Sequence, residues 1–395
     1  MNKKLLQIAG IAVFVGLSTT SAVLANGTDS GKDKDGSVSV GYDKGVYIKT
    51  DDGKNKLKIN VHLQPQYQTL VMEGQDDVHT FQIRRGQIHF TGNAFSENLT
   101  YRVQYEAIGG RTNTTNEGEL RADQLLDAYI NYKFMDEIEI RAGQFKPYYN
   151  REELTSDTKL NFVDRSTLND VVSLGRDLGL AIHGKVFDKK LEWALYLTNE
   201  GNNVNRTNFN SELLMGGRFV YNIMGNHGYE QGDVKDSEDH HLAVAVAGNY
   251  NRPSNAGQND MMAMAGDVAY RHRGFSLVGE GHFVRDLDAD ATVLGFIGQV
   301  GYFIVPEKFE VALRGIGVVP TQSAVVNGYE YGGSFNYYFK GHDLKLQADY
   351  AMLINSPLVH NTTTGARNFI TRGGTGGFIQ DQTDHRFRMQ ATLFF

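Results

Sequence analysis

The sequence predicts an all-β protein: a transmembrane antiparallel β-barrel of about 16 strands with an inward-folded constriction loop. From residue 57 onward, the chain is a succession of runs of about ten residues in which apolar and polar positions alternate. After the first 25 residues, no stretch is long and apolar enough for a transmembrane helix. The chain has 44 Gly, 22 Phe and 20 Tyr but 6 Pro, which favours aromatic-rich strands and glycine turns.

The N-terminus has the pattern of a secretory signal peptide. Lys3 and Lys4 precede an apolar run from Leu5 to Leu17, and small and polar residues follow up to Ala25. This run is shorter than the ~20 residues that span a bilayer, so cleavage after Ala25 is expected. The predicted organisation is a signal peptide at 1–25, an N-terminal periplasmic segment at 26–56 with a hairpin or arm at 37–50, and the barrel at 57–395. The predicted location is the bacterial cell outer membrane.

Composition and charge exclude several classes of function. The chain contains no cysteine, which excludes disulfides, thiolate metal sites and a lipid-modified N-terminal cysteine. The formal net charge is -7, and the signal peptide contains two lysines and no acid, so its removal makes the charge -9. This acidic balance argues against a nucleic-acid-binding surface.

Sixteen alternating runs can be counted, and an even number suits a closed barrel with both chain ends on one side. The runs are 57–71, 80–93, 98–109, 123–134, 137–146, 176–187, 191–199, 213–224, 241–251, 260–273, 275–286, 293–303, 309–319, 329–339, 344–355 and 384–395. Short connections such as 135–136 and 188–190 alternate with longer ones such as 147–175 and 356–383. The connection 225–240 breaks this rule, because it is long yet falls on the short-turn side.

The last run shows the alternation clearly. One face carries Phe387, Met389, Ala391, Leu393 and Phe395, and the other carries Asp384, Arg386, Arg388, Gln390 and Thr392. In a barrel the apolar face contacts lipid, whereas in a soluble β-sandwich or jelly roll it would pack into a core. Charges on the other face of nearly all sixteen runs favour the barrel, closed by pairing of the last strand with the first.

One run departs from clean alternation. In 80–93, Phe81 and Ile83 fall on the opposite parity to Ile88 and Phe90. Such a change of parity predicts either a bulge near Arg84-Arg85 or an outer half of the strand that extends past the bilayer.

Strand parity places a mixed set of charges on the predicted lumen face. The basic positions are Arg85, Arg102, Lys133, Arg141, Lys185, Arg218, Arg271, Arg314, Lys345, Arg386 and Arg388, and the acidic ones are Glu106, Asp127, Glu139, Glu192, Asp267, Glu280, Glu310, Asp349 and Asp384. One interpretation is a ladder of cationic groups that draws anions through a wet channel. The other is that acids and bases pair across neighbouring strands and hold the wall rigid.

The connection 147–175 lacks a strand pattern, which is typical of a functional loop, and folding into the lumen would let it narrow the pore. Candidate caps of short helical turns in it are Thr155, Ser156, Asp157 and Ser166. Acidic residues outnumber basic ones in this connection and at its C-terminal edge. The basic residues are Arg151, Lys159, Arg165 and Arg176, and the acidic ones are Glu152, Glu153, Asp157, Asp164, Asp170 and Asp177. The pore-lining and anion-binding candidates are Arg85, Arg102, Lys133, Arg141, Arg151, Lys159, Arg165, Arg176, Arg218, Arg314, Arg386 and Arg388.

Spacing gives little support to other chemistry. Glu152-Glu153 could act as acid and base, but adjacent side chains point in different directions, so solvated loop charge is expected. Alternate aspartates in 286–290 copy the first ligands of a calcium loop, but the turn glycine and the closing glutamate are missing. His240-His241 is expected to be a solvated turn rather than a metal site. We expect no catalytic set, no metal and no cofactor.

Several segments resemble a known family. The stretches "LKINVHLQPQYQ", "FQIRRGQIHFTGN" and "LLDAYINYKF", and above all "RAGQFKPYYNREELTSDTKLNFVDRS" followed by "LGRDLGLAIHGKV", resemble the phosphate-selective porin O and P family of bacterial outer-membrane channels. The resemblance runs from about Gly41 to the end and is strongest from Phe81 to Val186. It implies a sixteen-stranded trimeric porin whose third outer loop constricts the pore, with passive uptake of anions such as phosphate. The positions that fit the family's pattern are Arg85, Arg141, Arg165 and Arg176.

We therefore expect a channel rather than an enzyme, for passive diffusion of small hydrophilic solutes, with anions such as phosphate preferred. The expected partners are the lipid bilayer, small anions, two further copies in a homotrimer, and the barrel-assembly machinery. The last is expected because a terminal aromatic residue such as Phe395 resembles the sorting signal of outer-membrane proteins. The alternatives are a non-selective or cation-leaning porin, an outer-membrane hydrolase with acids and histidines at the outer rim, and a structural or adhesive barrel with a blocked lumen.

Overall fold

Alternation of apolar and polar side chains gives each strand of this protein one face for lipid and one for the lumen. The computed structural model describes residues 37–74, 76–109, 125–199, 212–252, 260–321, 327–355 and 382–395. The predicted signal peptide lies outside these residues, as do 26–36 and most or all of the outer connections 110–122, 200–212 and 356–383.

The described residues contain eighteen strands and two short α-helices. The strands are β1 (Val38–Tyr42), β2 (Val46–Thr50), β3 (Lys56–Val71), β4 (Val78–Ala94), β5 (Ser96–Gly109), β6 (Leu125–Met135), β7 (Ile138–Phe145), β8 (Asp177–Val186), β9 (Leu191–Thr198), β10 (Leu214–Met224), β11 (His241–Asn251), β12 (Met261–His272), β13 (Phe275–Asp286), β14 (Ala291–Val305), β15 (Phe309–Pro320), β16 (Gly328–Lys340), β17 (Leu344–Ile354) and β18 (Thr383–Phe394). Between β7 and β8 lie α1 (Arg151–Leu154), a 3-10 turn (Asp157–Lys159) and α2 (Thr167–Val172). None of the helices described is long and apolar enough to span a membrane.

The sixteen strands β3 to β18 form a closed antiparallel barrel. Each pairs with the next, and β18 returns to pair with β3, with Met389 opposite Tyr67. Two backbone bonds extend the seam, from Val61 N to the Phe395 carbonyl at 2.7 Å and from Phe395 N to the Val61 carbonyl at 3.0 Å. The predicted closure and strand count are confirmed, and no strand boundary differs from its predicted position by more than two residues.

The faces of β18 also match the prediction. Met389 is half exposed on the outer surface, whereas Arg388, Gln390 and Thr392 are buried on the lumen side. Because these residues alternate, a slip of one position would place charge against lipid. The register is therefore fixed by the faces of the strand.

The predicted irregularity in β4 is a bulge. Arg85 lies opposite Gln64 and Ile83 lies opposite Pro65, so Arg84 is the extra residue. Both arginines consequently point inward and both bind Asp164. The predicted N-terminal hairpin is present as β1 and β2, and β2 pairs with the first residues of β3.

The lumen face is not polar throughout. From β11 to β15 it carries small apolar side chains, which are buried: Ala243, Ala245, Ala247, Ala263, Ala265, Ala269, Val278, Val284, Val293, Ile297, Ile316 and Val318. An apolar surface inside a water-filled barrel must be covered to be stable. This half of the wall is therefore the docking surface for another part of the chain.

Candidate functional site in the lumen

The constriction loop, residues 147–175, covers that apolar wall. Leu168 and Val172 on one face of α2 join Tyr149 in a buried cluster with Val293 and Ile297 of β14. The helix begins at Ser166, whose hydroxyl accepts a hydrogen bond from Asn169 N at 3.1 Å, so the predicted cap is confirmed. The loop is thus held by a hydrophobic core of its own inside the barrel.

Wall carboxylates bind the backbone of the loop. Glu280 accepts hydrogen bonds from the amides of Arg151 and Glu152 at 3.0 and 2.8 Å. Glu330 accepts one from Thr167 N at 3.1 Å, and Asp349 accepts one from Val163 N at 3.1 Å. These anchoring carboxylates satisfy buried amides that would otherwise lose their water without compensation. They are structural acids, turned toward the loop rather than toward a solute.

The middle of the loop is anchored through its carbonyls. Lys345 donates to the Leu160 carbonyl at 2.5 Å, and Ser334 and Asn336 donate to the Asn161 carbonyl at 2.6 and 2.8 Å. All three donors lie on the lumen faces of β16 and β17. The loop also contacts Arg218 of β10, Gln390 of β18 and Arg85 of β4, so it touches the wall from β10 to β18 as well as β4 and is an integral part of it.

Most of the candidate bases are paired with carboxylates. The pairs are Arg85 with Asp157 and Asp164 (both 2.8 Å), Arg102 with Asp127 (3.0 Å), Lys133 with Asp136, Arg151 with Asp267 (2.6 Å), Lys159 with Glu230 (3.6 Å), Arg165 with Asp157 (2.5 Å), Arg176 with Asp127 (2.8 Å), Arg218 with Asp267 (2.5 Å), Arg314 with Glu330 (2.5 Å), Arg386 with Glu330 (3.3 Å) and Arg388 with Asp349 (2.6 Å). Of the two interpretations, charge pairing describes these side chains. The partners, however, often belong to the loop and not only to neighbouring strands.

Ionisation in the loop follows from this burial and pairing. Burial raises the pKa of Glu152 to about 7, with a contribution from Glu280, although Arg314 opposes the shift. Burial also disfavours the charged form of Glu153, but Arg165 and Lys146 outweigh it and lower the pKa of Glu153 to about 2. The two adjacent acids therefore differ in protonation near neutral pH.

The expectation that Glu152 and Glu153 are solvated loop charge is wrong. Both are buried, and Glu152 accepts hydrogen bonds from Ser166 N at 2.8 Å and from its hydroxyl at 2.5 Å. Glu153 accepts one from the Asn169 side chain at 3.0 Å. Since both carboxylates are engaged in holding the loop together, their role is structural.

Water-accessible charge remains along the opposite wall, from β5 to β9. Arg102, Lys133 and Lys185 keep 33%, 44% and 42% of their side-chain surface exposed. Glu139 and Glu192 lie on the same lumen face and are partly exposed. We call this side the open half of the lumen.

Arg141 is the exception among the candidates. It lies on the lumen face of β7 in the open half, and no carboxylate within the described ranges is at ion-pair distance from it. Its guanidinium carbon is instead 4.3 Å from the ring centre of Tyr129 and 5.5 Å from that of Tyr148. Stacking on aromatic faces holds a guanidinium in place while leaving its charge uncompensated. Its geometry suits recognition of an anion.

Sequence reasoning missed several parts of the site. The sequence did not predict the aromatic surroundings of Arg141, which are Tyr129, Tyr148 and His183. Strand parity identifies the charged positions on the lumen face but does not show which aromatic side chains lie beside them. Lys146, at the edge of the loop, lies 3.2 Å from Glu153, and burial together with Arg165 lowers its pKa to about 8. The apolar residues on both faces of "HLAVAVAGNYN" in β11 were the available signal for loop docking.

The part of the chain that the structure describes has no cluster of three or more potential metal-binding side chains. In the 286–290 turn, Asp286 accepts hydrogen bonds from the amides of Asp288 and Ala289 at 3.1 and 2.8 Å, which closes the turn. These aspartates therefore have an ordinary structural explanation.

A closed barrel with an apolar outer band, a charged lumen and an inward loop defines the class of outer-membrane porins. A family model described as phosphate-selective porin O and P matches residues 56–356 of the chain, and the protein belongs to this family. Its location is the outer membrane, and the family and fold are those of a channel rather than an enzyme. No curated protein matches the chain.

Solved porin structures share the fold at low sequence identity. The outer membrane channel DcaP of Acinetobacter baumannii is similar with a TM-score of 0.60 and 10% identity, over 88% of this chain and 99% of that one. An anion-selective porin from Comamonas acidovorans has a TM-score of 0.57 and 11% identity, over 86% and 99%. OmpF of Salmonella typhi, in complex with daunomycin, has a TM-score of 0.56 and 14% identity, over 87% and 99%. The likeness is one of architecture.

Proposed function

We propose that this porin passes small anions, phosphate among them, through the open half of its lumen, and that Arg141 is the residue at which they bind. The observation that carries the proposal is the stacked guanidinium of Arg141, which has no carboxylate partner among the described residues. Most other candidate arginines are neutralised by loop or wall acids. The family to which the chain belongs, and the anion-selective porin with the same fold, support the proposal.

Lys133, Lys185 and Arg102 add positive charge to the same route. Each has a carboxylate neighbour, so each contributes less field than Arg141 to a passing ion. A weakly selective or cation-leaning channel is the second candidate function, because Glu139 and Glu192 line the same half. The balance between these groups and Arg141 decides the sign of the selectivity.

The test is the reversal potential of single channels in a planar bilayer under a potassium chloride gradient, followed by titration with phosphate. Anion preference together with block of chloride current by phosphate is the expected result. A cation-side reversal potential without phosphate block would support the second candidate. Current that fails to appear at all would support a blocked structural barrel.

The assembly of the protein completes the proposal. We infer cleavage of the signal peptide after Ala25, recognition of the C-terminal strand and Phe395 by the barrel-assembly machinery, and a homotrimer in the bilayer without catalytic activity. The family resemblance supports the trimer, and the position of Phe395 at the closing seam supports its role in assembly. Sustained turnover of lipid, peptide or phosphoester substrates by the purified barrel would contradict the absence of catalysis.

A further inference from the structure

The connection 225–240 folds into the barrel from the short-turn end. We call these residues the inner strap. The other turns described at this end are much shorter, such as 136–137 and 273–274, whereas the strap has room to cross the opening. His227, Gln231 and Asp233 in its middle are buried, with 2%, 5% and 1% of their surface exposed. A solvated turn would leave these polar residues in water, so the strap is packed against the rest of the protein.

The strap binds the middle of the constriction loop and its helix α1. Gln231 donates its backbone amide to the Lys159 carbonyl at 3.0 Å, and its side-chain carbonyl accepts a hydrogen bond from Asn161 N at 3.1 Å. A third bond runs from Arg151 of α1 to the Gly228 carbonyl at 2.8 Å. The first two bonds flank Leu160, so the strap supports the middle of the loop.

The same strap is fixed to the barrel wall. Tyr229 accepts a hydrogen bond from Arg218 at 3.1 Å, and Glu230 forms an ion pair with Arg271. Asp233 accepts bonds from Gly274 N at 2.9 Å and from the Ser237 hydroxyl at 2.6 Å. The strap is thereby attached at β10 and at the β12 to β13 turn, which lie on the loop-covered side of the lumen.

We propose that the inner strap is a second constriction element, which positions the constriction loop and closes the loop-covered half of the lumen to solutes from the short-turn side. Gln231 is the central positioning residue, because its backbone and side chain bind the residues on either side of Leu160. The conducting path is then confined to the open half by two elements that enter from opposite ends of the barrel. The strap thus affects the conductance of the channel and the noise of its current, and this effect does not depend on anion preference.

The test compares single-channel currents of wild-type protein with those of a variant in which residues 226–239 are replaced by an Asn-Gly turn, a sequence suited to a tight hairpin. The expected result is a larger conductance step with more current noise, because the space beneath the loop opens and the loop loses its support around Leu160. An assembled deletion variant with the conductance and noise of the wild type would overturn the proposal.

Point variants keep the test decisive where the deletion variant fails to assemble. Gln231→Ala removes the acceptor for Asn161 N without changing charge, and it should raise the current noise. The matched control is Asn226→Ala, which removes an exposed amide from the same strap and should leave the current unchanged. Equal noise in both variants contradicts a positioning role for Gln231. A wild-type protein that conducts but shows no anion preference leaves this inference standing while the proposed function fails.

Discussion

Truncation of Leu168 should release the constriction loop. Leu168 lies on α2 with 1% of its surface exposed and packs against β14, where Gly295 leaves space for its side chain. A Cβ atom at Gly295 would overlap the end of Leu168, which shows how closely the helix approaches the strand. Leu168→Ala would leave a cavity at this contact in place of the side chain.

The magnitude of the effect follows from the burial of the side chain. Leu→Ala substitutions at buried sites cost about 2–5 kcal/mol, depending on how far the site collapses. If the cost falls on docking of the loop, the undocked population rises roughly thirty-fold to several thousand-fold, since 1.4 kcal/mol corresponds to about a factor of ten. The barrel itself should be unaffected, because the strand ladder does not involve this residue.

Single-channel recording measures this change directly. Leu168→Ala should show brief excursions to a larger conductance level, and the control Leu313→Ala, on the lipid-facing surface with 60% of Leu313 exposed, should not. Gly295→Ala should produce the same excursions by overpacking, and the double variant with Leu168→Ala should be less severe than the sum of the two. Wild-type currents in Leu168→Ala would refute the view that α2 is held by this apolar contact.

Three further outcomes are expected. Arg141→Ala should shift the reversal potential toward the cation side and abolish phosphate block. Arg165→Ala should chiefly increase current noise, because Arg165 forms ion pairs with acidic residues of the loop. Equal selectivity shifts in both variants would contradict these different roles. Burial raises the pKa of Glu152 from 4.5 to about 7, so the stability that it lends to the docked loop is complete below about pH 4.5 and is lost as the pH rises through 7. Current noise should therefore rise between about pH 4.5 and pH 7 and level off at higher pH, and Glu152→Gln should remove this dependence. Deletion of Phe395 should reduce the amount of heat-modifiable barrel in outer membranes, since it removes the two backbone bonds that extend the seam between β18 and β3. An unchanged amount would show that assembly does not need this residue.

The strands and their faces could be predicted because strand periodicity is local and strict. A run such as 384–395 carries its own orientation. The parity change around Arg84 predicted a bulge there as one of two alternatives, and the structure shows the bulge. The constriction loop could be placed in the lumen from its length. The side of the barrel on which the loop docks was not predicted, although the two apolar faces of β11 were a signal for it.

Charge pairing in the lumen could not be predicted for a different reason. Arg85 meets Asp157 and Asp164, which lie more than seventy residues away on a loop with no regular period. Strand parity gives the face of a side chain but not its partner across the lumen. Arg141 could be placed on the lumen face in this way, but its lack of a carboxylate partner and its stacking on Tyr129 emerge only in three dimensions.

The anchoring carboxylates have a consequence for how the loop sequence can vary. Glu280, Glu330 and Asp349 bind backbone amides, and every residue except proline supplies such an amide. These bonds therefore place no demand on the side chains of the loop residues that donate to them. Proline at Val163 or Thr167 should be excluded, whereas other replacements keep the bond. These three carboxylates therefore fix the path of the loop backbone without requiring particular side chains at the residues that donate to them.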